Sequence, residues 1–199
     1  MMHVIDVPPR VPRWGNRFLA AFGRAVIDLL GWRLDIRLPD EPKFVVIAVP
    51  HTTNWEFVIG IAAIFAIRVR VNWWAKHSMF RWPFRGILQW AGGVPLDRAR
   101  TRGSVPQMIE EMRSRPQFVL GLAPEGTRSR VEKWKSGFYQ IAAGAQVPIV
   151  LAWMDYAKKE CVVGPVIRPS GDYAADVARM LDVFNRVTPK HPQNWSGKA

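Results

Sequence analysis

Three short apolar runs set the strongest limit on the fold. They are Phe44-Val45-Val46-Ile47-Ala48-Val49, Phe118-Val119-Leu120-Gly121-Leu122 and Val147-Pro148-Ile149-Val150-Leu151-Ala152-Trp153. Polar and apolar residues do not alternate in them, so neither face of such a strand is patterned for water. A strand buried on both faces needs cover on both, which is the arrangement of a parallel sheet between helices. Helical spacing fills the intervals: residues 54–67, 82–90, 106–114 with Ser104 as a candidate cap, 137–144 and 172–186. Weaker strand patterns lie at 69–74 and 161–167. The expected class is α/β, a mostly parallel sheet flanked by helices, preceded by an N-terminal amphipathic helix.

The 199 residues suit one domain with a substantial core, and no repeat or low-complexity tract divides them. The expected division is residues 1–40, an arm and a surface helix, and residues 41–199, the main domain, in one globular unit. The first dozen residues are proline-rich and read as extended. Over residues 14–34, Trp14, Phe18, Phe22, Val26 and Leu29 or Leu30 recur at three- or four-residue steps, with Arg13, Arg17, Arg24 and Asp28 off that stripe. Two readings fit: the stripe docks on the protein's own core, or it lies in a membrane interface.

Lys+Arg number 28 against 16 Asp+Glu, a formal charge of +12. Such a chain seeks polyanions: nucleic acid, anionic headgroups, phosphorylated ligands or an acidic protein. No nucleic-acid-binding module is recognisable, so no nucleic acid is expected as partner. The 10 Trp suit a boundary between apolar and wet surroundings as well as a core. A single cysteine, Cys161, excludes an internal disulfide and a Cys-based zinc cluster; its apolar neighbours read as a buried thiol. No metal site is expected. The N-terminus lacks the pattern of a signal peptide. The longest apolar run, residues 57–67, falls short of the roughly 20 residues of a spanning helix. The expectation is a peripheral position on the cytoplasmic face of a membrane, with no transmembrane span.

In parallel sheets functional residues gather beyond the carboxyl ends of strands, and three such ends carry notable residues. The first is Pro50-His51-Thr52-Thr53-Asn54-Trp55-Glu56. On one continuous helix a five-residue offset sets side chains roughly 140° apart. With His51 in the turn and Glu56 in the first helical turn, the two can meet, giving a general base oriented by a carboxylate. A capping box, with Glu56 satisfying backbone N–H groups, fits the same residues. The second is Gly92-Gly93-Val94-Pro95-Leu96-Asp97-Arg98, where Arg98 can clamp a phosphate and Asp97 can hold it; an ordinary loop with a solvated ion pair is the other reading. The third is Ala123-Pro124-Glu125-Gly126-Thr127-Arg128-Ser129. Gly126 can turn backbone N–H groups to an anion, Arg128 adds charge, and Glu125 can bond hydroxyls or orient Arg128. A structural turn rarely needs so many polar groups beside a buried strand.

In this order the segments resemble the glycerolipid acyltransferase family, the lysophosphatidate acyltransferases in particular. His51-x4-Glu56 is similar to the family's His-x4-Asp motif, with Glu in place of Asp. Gly93 to Arg98 resembles the second motif, and Pro124-Glu125-Gly126-Thr127-Arg128-Ser129 matches the third apart from Ala123 in place of Phe. Val147-Pro148-Ile149 resembles the fourth. Lys76 and Lys135 sit where the family places basic residues. The resemblance implies transfer of a fatty acyl group from acyl-CoA or acyl carrier protein to the hydroxyl of a lysophospholipid, most simply 1-acylglycerol-3-phosphate, with no cofactor. It implies His51 and Glu56 as the catalytic pair. Arg98, Glu125, Gly126, Thr127, Arg128, Lys76 and Lys135 are then substrate-binding, with an anionic membrane surface as a further partner. Another lipid or hydroxylated acceptor, or a lipid-binding protein without activity, are the alternatives.

Overall fold

The computed structural model describes residues 2–76, 78, 80–96, 103–195 and 197, with the backbone alone at Ala75, Lys76, Pro95 and Leu96. Among the described residues eight strands form one sheet: β1 Val4–Asp6, β2 Arg33–Arg37, β3 Lys43–Ala48, β4 Asn72–Lys76, β5 Gly93–Leu96, β6 Phe118–Leu122, β7 Ile149–Asp155 and β8 Glu160–Ile167. Their order is β1-β2-β8-β7-β3-β6-β4-β5. Every pairing is parallel except β7 with β8. The antiparallel pair follows from its short connection, since the turn between Asp155 and Glu160 leaves no room for a crossover.

Period-two alternation splits the apolar runs between two cores. Val45 and Ile47 of β3, Leu120 of β6 and Ile149 and Leu151 of β7 face one side, with Met112, Phe138, Met180 and Phe184. These come from α4 Ser104–Ser114, α5 Gly137–Ala145 and α6 Tyr173–Phe184. Phe44, Val119 and Val150 face the other side, with Ile27, Ile59 and Ala62 of α1 Arg17–Leu29 and α2 Trp55–Ile67. Both faces of β3 are therefore dry, as its continuous apolar sequence requires. A short helix, α3 Arg85–Trp90, joins β4 to β5 and buries none of its residues. The α/β class with a mostly parallel sheet is as expected; β1, β2 and β5 are additional.

The N-terminal region differs in detail. The expected arm includes strand β1, which pairs Ile5 with Ile36 at the sheet edge. The expected helix over 14–34 is shorter. Gly15 (φ 77°) precedes the cap Asn16, whose side chain accepts from Leu19 N–H, and Gly31 (φ 72°) turns the chain out of the helix into β2. Within α1 the aromatic stripe does not dock on the core: Phe18 is 86% and Phe22 61% exposed. The buried face is small instead, with Ala20, Gly23 and Ile27. A Cβ on Gly23 would lie 2.5 Å from the Ala62 carbonyl oxygen and 2.7 Å from the Ala66 nitrogen. The two helices approach too closely there for a bulky residue. The ten tryptophans divide likewise: Trp195, Trp32 and Trp73 are buried, whereas Trp55, Trp82 and Trp90 are exposed.

Candidate active site

β3 and β6 are parallel neighbours with Ile47 opposite Leu122, so the segments that follow them leave the sheet at the same edge. His51 follows β3 and Glu125 follows β6. Helix α2 starts at Trp55, which places Glu56 in its first turn, where the helix dipole favours an acid. From there the carboxylate reaches back over the loop. Glu56 Oε2 lies 2.8 Å from His51 Nδ1. The same carboxylate accepts from Thr52 N–H at 2.9 and 3.1 Å and from the Thr52 hydroxyl at 3.0 Å. The capping box does not form: the N-cap is Asn54, with no side-chain cap bond, and Glu56 reaches past it to the loop. Its carboxylate satisfies a backbone N–H, that of Thr52, and it holds the imidazole.

Glu56 is 7% exposed, while the His51 side chain is 21% exposed. A carboxylate on Nδ1 fixes the proton there and leaves Nε2 with its lone pair. The outer ring nitrogen is then a base, backed by a negative charge that stabilises the imidazolium.

Glu125 holds the backbone of His51: its Oε2 accepts the His51 N–H at 2.7 Å. Its Oε1 is buried and has no hydrogen-bond partner among the described residues. Burial pushes the Glu125 carboxyl up to about 8; the bond from His51 N–H opposes the rise and the charge of Glu56 adds to it. Tyr156 is also pushed up, by burial first and by Glu56 second. The next turn closes through Gly126 N–H to Ala123 O at 3.1 Å and Lys135 N–H to Pro124 O at 2.9 Å. Gly126 has φ 66°, and a Cβ on it would lie 2.9 Å from Lys135 Nζ. The Lys135 ammonium therefore lies across the glycine. Thr127 and Arg128 are exposed beside it.

Lys76 ends β4 with its backbone in register with Leu96 of β5, at this same sheet edge. Asp97 and Arg98 lie outside the described residues. His51, Glu56 and Glu125 are thus brought together, and Gly126 and Lys135 are joined in the neighbouring turn. Thr52 was not singled out by sequence, having no unusual spacing of its own. It also accepts from His191 N–H at 3.4 Å, which ties the C-terminal segment to the pair. Cys161 lies buried in β8, its thiol pushed up to about 12 by burial. Among the described residues no group of three or more His, Cys, Asp or Glu could hold a metal ion. No helix described is long and apolar enough to cross a membrane.

A histidine at the carboxyl edge of a parallel sheet, with a buried carboxylate on its inner ring nitrogen, is an arrangement able to take a proton from a hydroxyl. The chain belongs to the Acyltransferase family, whose family model matches residues 36–155. That range carries β3 with the His51–Glu56 pair and β6 with the Glu125 turn. In fold it is similar to the crystal structure of the 1-acyl-sn-glycerophosphate (LPA) acyltransferase PlsC from Thermotoga maritima. The TM-score is 0.60 at 18% identity, over 85% of this chain and 76% of that one. No curated protein gives a significant match to the sequence.

Proposed function

We propose that the protein is an O-acyltransferase that moves a fatty acyl group from an acyl thioester, on coenzyme A or acyl carrier protein, to the hydroxyl of a lysophospholipid. A 1-acylglycerol-3-phosphate is the acceptor that its basic residues fit best. The observation that carries this reading is the 2.8 Å contact of Glu56 with His51 Nδ1, which leaves Nε2 free to take a proton. The acceptor hydroxyl gives its proton to Nε2 as its oxygen attacks the thioester carbonyl. The tetrahedral intermediate then expels the thiolate, breaking the C–S bond, and the imidazolium returns the proton to sulfur. The products are an ester and a thiol, and no redox group or metal is needed to balance the step.

Backbone N–H groups or Lys76 stabilise the oxyanion, and Arg98, Arg128 and Lys135 bind the phosphate. Glu125 and Gly126 shape the turn beneath them, and Thr127 bonds acceptor oxygens. The chain works on an anionic membrane surface, held by α1, whose exposed Phe18 and Phe22 stand among arginines.

The test is thiol release from an acyl thioester with lysophosphatidate present. His51→Ala is expected to lower kcat about 10²–10⁴-fold while the far-UV circular dichroism stays native. Full turnover in a folded His51→Ala protein refutes the base assignment. A panel of lyso-acceptors under the same assay separates lysophosphatidate from other hydroxylated acceptors.

A further inference from the structure

Residues 81–90 expose more apolar surface than their length would lead one to expect. Trp82 is 92% exposed, Phe84 63%, Ile87 65% and Trp90 53%. Arg81 and Arg85 are exposed between them. A soluble surface scatters such residues singly; a contiguous set marks a contact face. This set also does not stand apart from α1. The Trp14 ring lies 4.9 Å from that of Trp90, and Phe65 touches both, at 5.6 and 5.9 Å. An open groove of about 500 Å³ crosses the seam, lined by Trp14, Phe18, Leu19, Phe22 and Trp90. The exposed aromatics of α1 and α3 therefore form one face.

Charge identifies what covers it. Residues 11–27 and 78–96 contain no acidic residue, while the exposed Arg17, Arg24, Arg81 and Arg85 lie within them. Two copies of this chain meeting through these segments would oppose arginine to arginine with no acid of the segments to pair them. Aromatic rings set among arginines match the headgroup region of an anionic leaflet, where rings sit at the boundary and guanidinium groups meet phosphates. The segment is fixed to the sheet near the starts of β4 and β5: the Phe80 ring stacks on that of Trp73 at 6.2 Å, and Gly92 O accepts Trp73 N–H. The apolar face thus runs from residues 82–90 to the start of α1.

We infer that residues 82–90 are a second membrane-insertion element, which acts with α1 to seat one face on an anionic bilayer. The inference rests on the membrane-surface reading proposed above.

The full chain is tested by sedimentation with phosphatidylcholine vesicles, with and without phosphatidylglycerol. Three variants are compared: W82S/F84S/I87S, F18S/F22S and R81E/R85E. The first two are each expected to weaken partitioning into the anionic vesicles by about tenfold or more. The third should abolish the preference for phosphatidylglycerol. Circular dichroism checks the fold, and quenching of wild-type fluorescence by brominated lipid, compared with W82F, reports whether Trp82 enters the bilayer. If F18S/F22S is released while W82S/F84S/I87S and R81E/R85E bind as wild type, α1 is the sole anchor and the inference fails. If all three bind as wild type while thioester consumption persists, the membrane-face reading fails and acyl transfer stands. If W82S/F84S/I87S converts a dimer to a monomer without vesicles, the face serves a second copy and the inference is overturned.

Discussion

Shortening Glu56 by one methylene tests how the proposed catalytic pair is built. Glu56→Asp gives the chain the acid of the family motif it resembles, yet the geometry predicts a loss. The carboxylate starts from the first turn of α2, whose first residue donates its N–H to Thr53 Oγ1 at 3.3 Å. With that start held, removing one methylene withdraws the oxygen by about 1.3 Å. The contact with His51 Nδ1 then opens from 2.8 Å to about 4 Å. At an effective dielectric of about 20, the attraction for the imidazolium falls by about 2 kcal/mol, or roughly 30-fold in kcat. Thr52 N–H and its hydroxyl lose their acceptor as well, which costs about 1–3 kcal/mol of stability. The assay is thiol release at saturating acyl thioester and lysophosphatidate, with thermal unfolding run in parallel. A Glu56→Asp protein with wild-type kcat refutes the view that this loop is fitted to the longer acid.

Glu125 is buried with its pKa raised to about 8 from 4.5. The folded state keeps a proton that the unfolded chain releases above pH 4.5, so this group's contribution to stability falls as pH rises from about 4.5 to about 8. Glu125→Gln retains an acceptor for His51 N–H and should flatten that part of the profile in urea unfolding; an unchanged slope refutes the assignment. Gly23→Ala should destabilise by about 1–3 kcal/mol, a fall in Tm of several degrees, because backbone atoms of α2 lie 2.5 and 2.7 Å from the new Cβ. Helix propensity alone gives the opposite sign, so a rise in Tm rejects the close approach. Arg128→Ala should raise the KM for lysophosphatidate about tenfold and leave Tm unchanged; equal KM values remove Arg128 from the proposed phosphate site.

Much of the architecture was legible because the three central strands are buried on both faces. Their lack of alternation points to a sheet covered on two sides, and β6 has the expected bounds. The edge strands β1 and β5, and β2 beside β1, were not legible. Val4–Asp6 and Gly93–Leu96 are only three and four residues long, too short for a period to show. The expected helix runs on to residue 34, into the start of β2, whereas Gly31 ends it before that strand. In α1 the period was visible but the buried face was not. The larger residues suggest the core side, whereas packing against α2 selects the small ones.

The sequence by itself determined the α/β class, the order of the polar segments along the chain and the five-residue spacing of a histidine and an acid. It left open whether Glu56 caps a helix or holds His51, since spacing does not say where the loop ends and the helix begins. The tertiary structure decided that point by starting α2 at Trp55, so that one carboxylate meets both Thr52 and His51. It also set Glu125, 74 residues away along the chain, against the His51 backbone. That contact depends on β3 and β6 being parallel neighbours, and register between distant strands is fixed by packing of the whole sheet, not by any local pattern.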